Sequence, residues 1–152
     1  MRSKYRGGWE LRSFVPASLD AAEAFIARFR GYFDRHGPPG YEFAAELLLR
    51  ETLTNAIVHG CGLDPAREVL CAVRLDARRL LIAVSDDGGG FDWRTFWRRA
   101  PMPEDPSGRG LWIVRKYATR VHFSTHGNAV TVLQRFQRGA SALRGTARRV
   151  AG

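Results

Sequence analysis

The segment ELLLRETLTNAIVHG, residues 46–60, decides how this chain folds. Its apolar residues recur at helical spacing, and Glu51, Asn55 and His59 follow one another at intervals of four. Because residues four apart lie on one face of an α-helix, a carboxylate, an amide and an imidazole should form a single row. Such a row can hold a metal-bound phosphate, whereas a solvated face is the ordinary explanation of a polar stripe.

The helix that carries this row is predicted over residues 41–59, with Gly60 as a left-handed cap at its end. Before it, residues 9–15 are predicted to form a strand, and residues 20–36 fit an amphipathic helix that starts near Ser18. The inward face of this first helix is expected to carry Ala21, Ala24, Phe25, Phe29 and Phe33.

Two apolar runs follow the row, at residues 68–75 and 80–85. They are joined by the short turn DARR and therefore predict a hairpin of neighbouring central strands. A short helix is expected at residues 93–98. The segment APMPEDPSGRG, residues 100–110, is too rich in proline to hold regular structure.

The sequence after the proline-rich segment predicts a helix at residues 111–118 and a closing hairpin. Its strands are expected at residues 120–125 and 130–137, with the turn at residues 126–128. The whole pattern predicts an α/β (α+β) sandwich in which helices cover one face of a single mixed, mainly antiparallel sheet.

Length and composition favour one globular domain. The chain has 152 residues, of which 45% are hydrophobic, enough for a core without disulfide bonds. We expect one domain over residues 1–137 and a basic, flexible tail over residues 138–152, where four arginines occur without an acidic residue. The net charge of +9 suggests nucleic acid, an acidic protein surface or a phosphate-bearing ligand as partner.

Neither a membrane segment nor a secretion signal is evident in the sequence. No apolar stretch is long enough to cross a bilayer, and the basic start MRSKYRGGWE is not followed by a hydrophobic region. Cys61 and Cys71 form no Cys-x-x-Cys pair, so we assign them no metal. These features predict a cytoplasmic protein without membrane contact.

A second motif begins at the end of the strand predicted over residues 80–85, in VSDDGGGFD at residues 84–92. Val84, Asp86, Gly88 and Gly90 form the pattern Val-x-Asp-x-Gly-x-Gly, in which glycines let the backbone turn back closely behind a carboxylate. That carboxylate can accept a hydrogen bond from the exocyclic amine of adenine. Taken alone, an ordinary Asp-Gly turn is the simpler interpretation.

A third motif, PSGRGLWIV at residues 106–114, places Gly108 and Gly110 directly before a helix. Backbone amides at a helix N-terminus attract phosphates, and Arg109 adds a full positive charge. The motif is neither the six-position dinucleotide fingerprint nor a P-loop, and alone it can be a flexible helix entry.

Together the three motifs resemble those of the GHKL superfamily of ATP-binding domains, and more closely those of bacterial anti-sigma-factor serine kinases. The residues that match its N box and its two glycine boxes are Glu51, Asn55 and His59; Asp86, Gly88 and Gly90; and Gly108, Arg109, Gly110 and Leu111. The resemblance spans residues 9–137 and implies a Bergerat-type ATP-binding fold. Three boxes in order are far more specific than any one of them.

The resemblance implies a nucleotide site that binds ATP with Mg²⁺. Asn55 would hold the Mg²⁺ ion that bridges the phosphates, and Asp86 would bind adenine. The second glycine box would close over the phosphates as part of a mobile lid. His59 would orient the site or touch phosphate, although a hydrogen-bonded histidine at a helix end explains it equally well.

The resemblance also implies an activity and its partners. Glu51 would be the general base that takes a proton from a serine of an anti-anti-sigma (STAS-type) antagonist protein, so that the γ-phosphate passes to that serine. The unphosphorylated antagonist would release a sigma factor from this protein. As its relatives tend to do, the chain is expected to form a homodimer.

The final hairpin departs from the family pattern. Many relatives have Gly-Thr there, with the threonine supporting the adenine site, whereas this chain has Gly127 followed by Asn128. Asn128 can still form a hydrogen bond at this place. Thr131 in the following strand is the alternative residue for that contact.

Three other functions remain open at this stage. A non-catalytic switch would bind ATP without transferring phosphate, but the presence of Glu51 argues against it. A sensor histidine kinase module is disfavoured, because only about 40 residues precede the N-box helix. The aromatic and basic segment at residues 91–110 could stack on nucleic acid. We instead expect a lid that packs its aromatic rings on the sheet, so nucleic-acid binding ranks below ATP.

Overall fold

The computed structural model describes residues 9–98 and 109–137. Ten elements occur in this part of the chain, and their bounds follow in chain order. They are β1 (Trp9–Pro16), α1 (Leu19–His36), α2 (Glu42–Asn55), a π-helical turn (Ala56–Gly60), β2 (Glu68–Leu75), β3 (Arg79–Ser85), α3 (Trp93–Arg98), α4 (Arg109–Tyr117), β4 (Arg120–Phe123) and β5 (Ala129–Arg135).

The five strands form one sheet in the order β1-β2-β3-β5-β4. Each neighbouring pair of the described strands is antiparallel. The prediction of a mixed sheet with some parallel pairing is therefore wrong for these strands. Hairpins join β2 to β3 and β4 to β5, as the sequence predicts. The fold class, one mainly antiparallel sheet with helices, is confirmed.

The core lies between one face of the sheet and the helices α1, α2 and α4. Side chains alternate between the two faces of a strand, so every second residue of β2 and β3 points to the helices. The buried residues of these two strands are Val69, Cys71, Val73, Leu75, Leu80, Ile82 and Val84. They join a single apolar cluster with Leu48, Leu49, Leu53 and Ile57 of α2 and its π turn, all fully buried.

The first helix starts where predicted, but one inward residue is different. The Ser18 hydroxyl accepts a hydrogen bond from the Ala21 amide at 3.2 Å and so caps the helix. Ala24 is exposed, and Ala22 is buried in its place. Since each residue turns an α-helix by about 100°, Ala24 lies almost opposite the buried Ala22, two positions before it. The prediction that Ala24 faces inward is therefore wrong.

The second helix does not continue regularly to His59. The α-helical part ends at Asn55, and a π turn follows in which the Cys61 amide donates to the Ala56 carbonyl at 2.9 Å. The predicted left-handed cap at Gly60 is also wrong. The positive φ angle occurs later, at Gly62 (φ 64°), because the wider turn carries the chain further before it reverses.

Both cysteines are buried and free. Burial raises the pKa of the Cys61 thiol, and it raises the pKa of the Cys71 thiol to about 12. Both thiols therefore stay protonated and unreactive near neutral pH.

Two of the predicted regions lie outside the described residues. They are residues 100–108, the greater part of the proline-rich segment, and the tail, residues 138–152. Within the described residues, none of the helices has the length and apolar character needed to cross a membrane.

We expect Ser18→Ala to lower the free energy of unfolding by about 1 kcal/mol, because the Ala21 amide loses its acceptor at the helix start. Urea unfolding followed by circular dichroism measures the change. Ser13→Ala is the matched control, since the Ser13 hydroxyl donates to the adjacent Phe14 carbonyl within β1. Its effect should stay within about 0.5 kcal/mol. Equal losses in the two variants would contradict the capping role of Ser18.

Candidate functional site

A cavity of about 30 Å³ lies where the end of the helix α2 and its π turn meets α4 and the ends of β3 and β5. Its volume is enough for only one or two water molecules. The lining residues are Thr52, Asn55, Ala56, Gly60, Val84, Asp86, Phe91, Leu111, Val114, Phe123, Gly127, Asn128, Ala129 and Val130. The three sequence motifs therefore meet at one place in the fold.

Glu51 and Asn55 lie side by side at the helical edge of this cavity. Both side chains are half-buried, and the start of α4 packs directly over them. A methyl group on Gly110 would lie 2.7 Å from Glu51 Oε2 and 3.4 Å from Asn55 Oδ1. Burial raises the pKa of Glu51, which the nearby Arg50 lowers in part. A carboxylate in this setting is a better proton acceptor than an exposed one.

The row that Glu51 and Asn55 begin does not continue to His59. In a π turn the residue that returns to the same face comes five positions later instead of four. Gly60 therefore follows Asn55 along the cavity, and His59 is exposed and does not line it. The structure thus contradicts the predicted single row of three polar side chains.

Asp86 lies at the end of β3, at the opposite edge of the cavity. Its backbone amide donates to the Asn128 carbonyl at 2.9 Å, and its Oδ1 accepts a hydrogen bond from the Gly88 amide at 2.7 Å. Burial raises the pKa of Asp86, while the Gly88 amide and the positive charge of Arg67 lower it. The fixed carboxylate can accept a hydrogen bond from a ligand in the cavity.

Gly60 allows the end of the helix to touch the end of the strand. A methyl group on Gly60 would lie 2.3 Å from Asp86 Oδ2, so there is no room for any side chain. Gly88 packs equally closely, since a methyl group there would lie 2.3 Å from the Gly60 carbonyl oxygen. Gly60 is thus needed for a close approach and not as the left-handed cap that the sequence suggested.

Gly90 joins the glycine-rich loop to the turn between β4 and β5. Its φ angle is 77°, and a methyl group would lie 1.6 Å from the His126 carbonyl oxygen. Only glycine meets both requirements. The turn that carries Gly127 and Asn128 is thereby held against the cavity.

The second glycine box is described only in part. Gly108 lies outside the described residues, and α4 begins at Arg109, two residues before the predicted start. The Arg109 side chain is exposed, whereas Gly110 and Leu111 are buried and Leu111 lines the cavity. The structure therefore brings Gly110 and Leu111 to the first two motifs.

The two candidates in the last hairpin lie in different places. Asn128 lines the cavity, and its Oδ1 accepts a hydrogen bond from the Ser124 hydroxyl at 2.9 Å. Thr131 pairs with Ala83 and lies on the other face of the sheet, because side chains alternate along β5. This position contradicts Thr131 as the alternative contact.

Aromatic rings form a wall that the sequence motifs do not reveal. Phe91 and Phe123 line the cavity, with ring centroids 6.2 Å apart. Trp93 stacks on Phe123 at 4.7 Å with an angle of 15°, and Trp97 meets the same ring edge-on at 5.7 Å. The expectation that aromatic rings of this segment pack on the sheet is confirmed for these two residues. The alternation of apolar and polar side chains along β4 is the sequence signal that could have placed Phe123 on the buried face.

Other lining residues were not predicted from the sequence, among them Thr52 and Ala56. Thr52 is buried, and its hydroxyl donates to the Leu48 carbonyl at 2.6 Å, as expected for a threonine inside a helix. No sequence signal separated these residues from ordinary core positions, because each is a small or apolar residue at a regular spacing.

The arrangement suits a ligand with an apolar ring and a phosphate group. Asp86 can accept a hydrogen bond from a donor on the ring, and the apolar wall can cover the ring itself. Asn55 offers an amide oxygen to a hard cation, beside the carboxylate of Glu51. Among residues 9–98 and 109–137, no group of three or more His, Cys, Asp or Glu side chains could hold a metal ion. Phosphate oxygens would therefore have to complete a Mg²⁺ site.

Comparison with known proteins gives a family match and similarity to solved structures. The family described as histidine kinase-like ATPase domain matches residues 15–133. A similar solved structure is the histidine kinase domain from the blue-light activated histidine kinase of Erythrobacter litoralis EL346, with 15% sequence identity and a TM-score of 0.43. The similarity covers 76% of this chain and 60% of that one. No curated protein sequence matches.

We expect Gly60→Ala to lower the free energy of unfolding by about 1–3 kcal/mol, because the added methyl group would overlap the Asp86 carboxylate. Urea unfolding measures the loss. Gly89→Ala in the neighbouring loop is the matched control, since a methyl group there would meet nothing within 4 Å. Its effect should stay within about 0.5 kcal/mol. A Gly60→Ala protein as stable as the wild type would contradict the close contact.

Proposed function

Because this chain belongs to the histidine kinase-like ATPase domain family, part of the GHKL superfamily, we propose that it is an ATP-dependent protein serine kinase that acts as an anti-sigma factor. Domains of this family bind ATP, so the cavity between α2, α4 and β3 is the proposed nucleotide site. The observation that carries the kinase assignment is the half-buried Glu51 beside Asn55.

The proposed ATP site divides into two ends. Asp86 accepts the hydrogen bond of the adenine amine, and the rings of Phe91 and Phe123 cover the base. At the other end, the Asn55 amide oxygen would hold Mg²⁺, which when bound would supply neutralisation of charge on the phosphate oxygens. The start of α4 would face the phosphates. The cavity of about 30 Å³ is smaller than a nucleotide, and we propose that it widens when ATP binds.

Glu51 is the proposed general base. Its carboxylate takes the proton of a serine hydroxyl, whose oxygen forms a bond to the γ-phosphorus while the bond to ADP breaks. The products are phosphoserine, ADP and the protonated carboxyl group, which returns its proton to solvent. Partial burial supports this role, because a raised pKa makes Glu51 a stronger base.

The proposed partners are two proteins. A sigma factor is the protein that this chain would sequester, and an anti-anti-sigma antagonist of STAS type would supply the serine. What supports them is the resemblance of the three motifs to anti-sigma-factor serine kinases. Incubation of this protein with γ-labelled ATP and an antagonist of this type tests the proposal: transfer of label to a serine is the expected result.

Two substitutions should separate binding from transfer. We expect Glu51→Gln to keep ATP affinity within about threefold and to lose at least about 100-fold in the rate of transfer, because the base is removed. Asp86→Asn should instead lose most of the ATP affinity, since an amide presents a donor where the amine needs an acceptor. Calorimetry measures binding, and transfer of labelled phosphate measures the rate.

The pH dependence of transfer tests the same base. Glu51 acts only when ionised and its pKa is raised, so transfer should begin to fall at a higher pH than for an ordinary glutamate as the solution is acidified.

Equal ATP binding by Asp86→Asn and the wild type would contradict the pocket assignment. ATP binding without transfer in the wild type would favour a non-catalytic switch.

Asn55→Ala should abolish the contribution of Mg²⁺ to nucleotide affinity, because it removes the proposed protein ligand. Titration of ATP with Mg²⁺ and with a chelator measures that contribution. His59→Ala is the matched control on the same helical segment, and it should keep the Mg²⁺ dependence because His59 does not line the cavity. A Mg²⁺ effect of wild-type size in Asn55→Ala would show that Asn55 is not the ligand.

A further inference from the structure

One arginine outside the three motifs connects the two sides of the cavity. The Arg67 guanidinium donates from Nη1 to the Gly60 carbonyl at 3.3 Å, and from Nε and Nη2 to Asp87 Oδ1 at 3.1 and 2.5 Å. Gly60 ends the π turn, and Asp87 directly follows Asp86. Arg67 therefore bridges the two segments between which the Asp86 carboxylate lies.

The main chain of Arg67 is itself fixed. Its amide donates to the Asp64 carbonyl at 3.0 Å, and its carbonyl accepts a hydrogen bond from the Ala17 amide at 2.9 Å. The Asp64 side chain also accepts a hydrogen bond from the Ala66 amide at 3.0 Å. Arg67 thus projects from a turn whose main chain is hydrogen-bonded on both sides, so its guanidinium group has a defined position.

The position of Asp86 depends on both segments that Arg67 joins. The carboxylate packs directly against Gly60, where no side chain fits, and Oδ1 is bonded to the Gly88 amide. Since the contact is so close, a small displacement of Gly60 relative to the glycine-rich loop must move the carboxylate. Arg67 opposes that displacement through its bonds to Gly60 and Asp87.

The positive charge of Arg67 also helps Asp86 to act as a hydrogen-bond acceptor. The ionisable groups that act on Asp86 are Arg67 and Asp87, and the Cys61 thiol lies close enough for Asp86 to raise its pKa. Burial raises the pKa of Asp86, Arg67 lowers it, and Asp87 raises it further. By pairing with Asp87, Arg67 favours the ionised form of Asp86, which is the better acceptor.

The simpler interpretation of the Arg67–Asp87 contact is a surface ion pair that contributes little to stability. Asp87 is 72% exposed and Arg67 31%, and such pairs contribute little by themselves. The hydrogen bond to Gly60 distinguishes Arg67 from an ordinary surface ion pair, because the same guanidinium also holds the Gly60 carbonyl beside Asp86. Arg74 provides a comparison: it pairs with Glu10 at 3.6 Å across β1 and β2, on residues that do not line the cavity.

We propose that Arg67 is a positioning residue that sets the affinity for the adenine ring through Asp86, while recognition of the phosphates is left to other residues. The inference depends on the proposed ATP site and adds to it a residue that determines base specificity. Its signature is selective: removal of Arg67 should weaken only the part of binding that comes from the adenine amine.

Binding of ATP and of inosine triphosphate, measured by calorimetry with Mg²⁺, isolates that part. Inosine triphosphate has the same phosphates but an oxygen in place of the amine. We expect Arg67→Ala to lower ATP affinity about tenfold and inosine triphosphate affinity less than about twofold. Asp87→Ala, a change at an exposed side chain, should act in the same direction. Arg74→Ala is the matched control and should leave both affinities unchanged.

The outcomes separate this proposal from the proposed function. A reduced ratio of ATP to inosine triphosphate affinity in Arg67→Ala and Asp87→Ala supports the role of Arg67. A wild-type ratio in both variants overturns it, even if both nucleotides bind more weakly, since a merely structural role would weaken both alike. If Arg67→Ala does not fold, the Asp87→Ala ratio decides. A wild-type protein that binds no ATP would instead contradict the nucleotide site itself.

Discussion

The close contact between Gly60 and Asp86 is the constraint on which the site depends. It brings the end of a buried helix directly against the carboxylate at the end of a central strand, because Gly60 has no side chain of its own. Asn55 and Asp86 therefore reach opposite edges of one cavity. The contact has a requirement of its own: the helix must end in a turn that presents a bare Cα atom, and the π turn at Ala56–Gly60 provides it.

Much of the fold follows from patterns that are local in the sequence. Apolar runs predicted β2 and β3, helical spacing of apolar residues predicted α1 and α2, and short turns predicted both hairpins. The short helix α3 was predicted with its observed bounds. These elements are predictable because burial of one face fixes their period. Ala24 was misplaced because an alanine fits either face of an amphipathic helix.

The site was predictable only where a residue type carries its own chemistry. Asn55, Asp86 and Asn128 were found in this way, and all three line the cavity. His59 was misplaced because hydrogen bonding across five residues, which no spacing rule anticipates, turned it outward. Thr131 was misplaced because the face of a strand depends on its register. No sequence pattern indicates the contacts of Arg67, because its partners Gly60 and Asp87 come from two other segments of the chain.

The stacked pair of Trp93 and Phe123 has an optical consequence. Phe123 forms part of the cavity wall, and the indole of Trp93 lies almost parallel to it, with its Nε1 donating to the Ser124 carbonyl at 3.2 Å. Whatever changes the filling of the cavity therefore changes the surroundings of an indole. Trp93 is therefore an intrinsic fluorophore one aromatic ring away from the cavity.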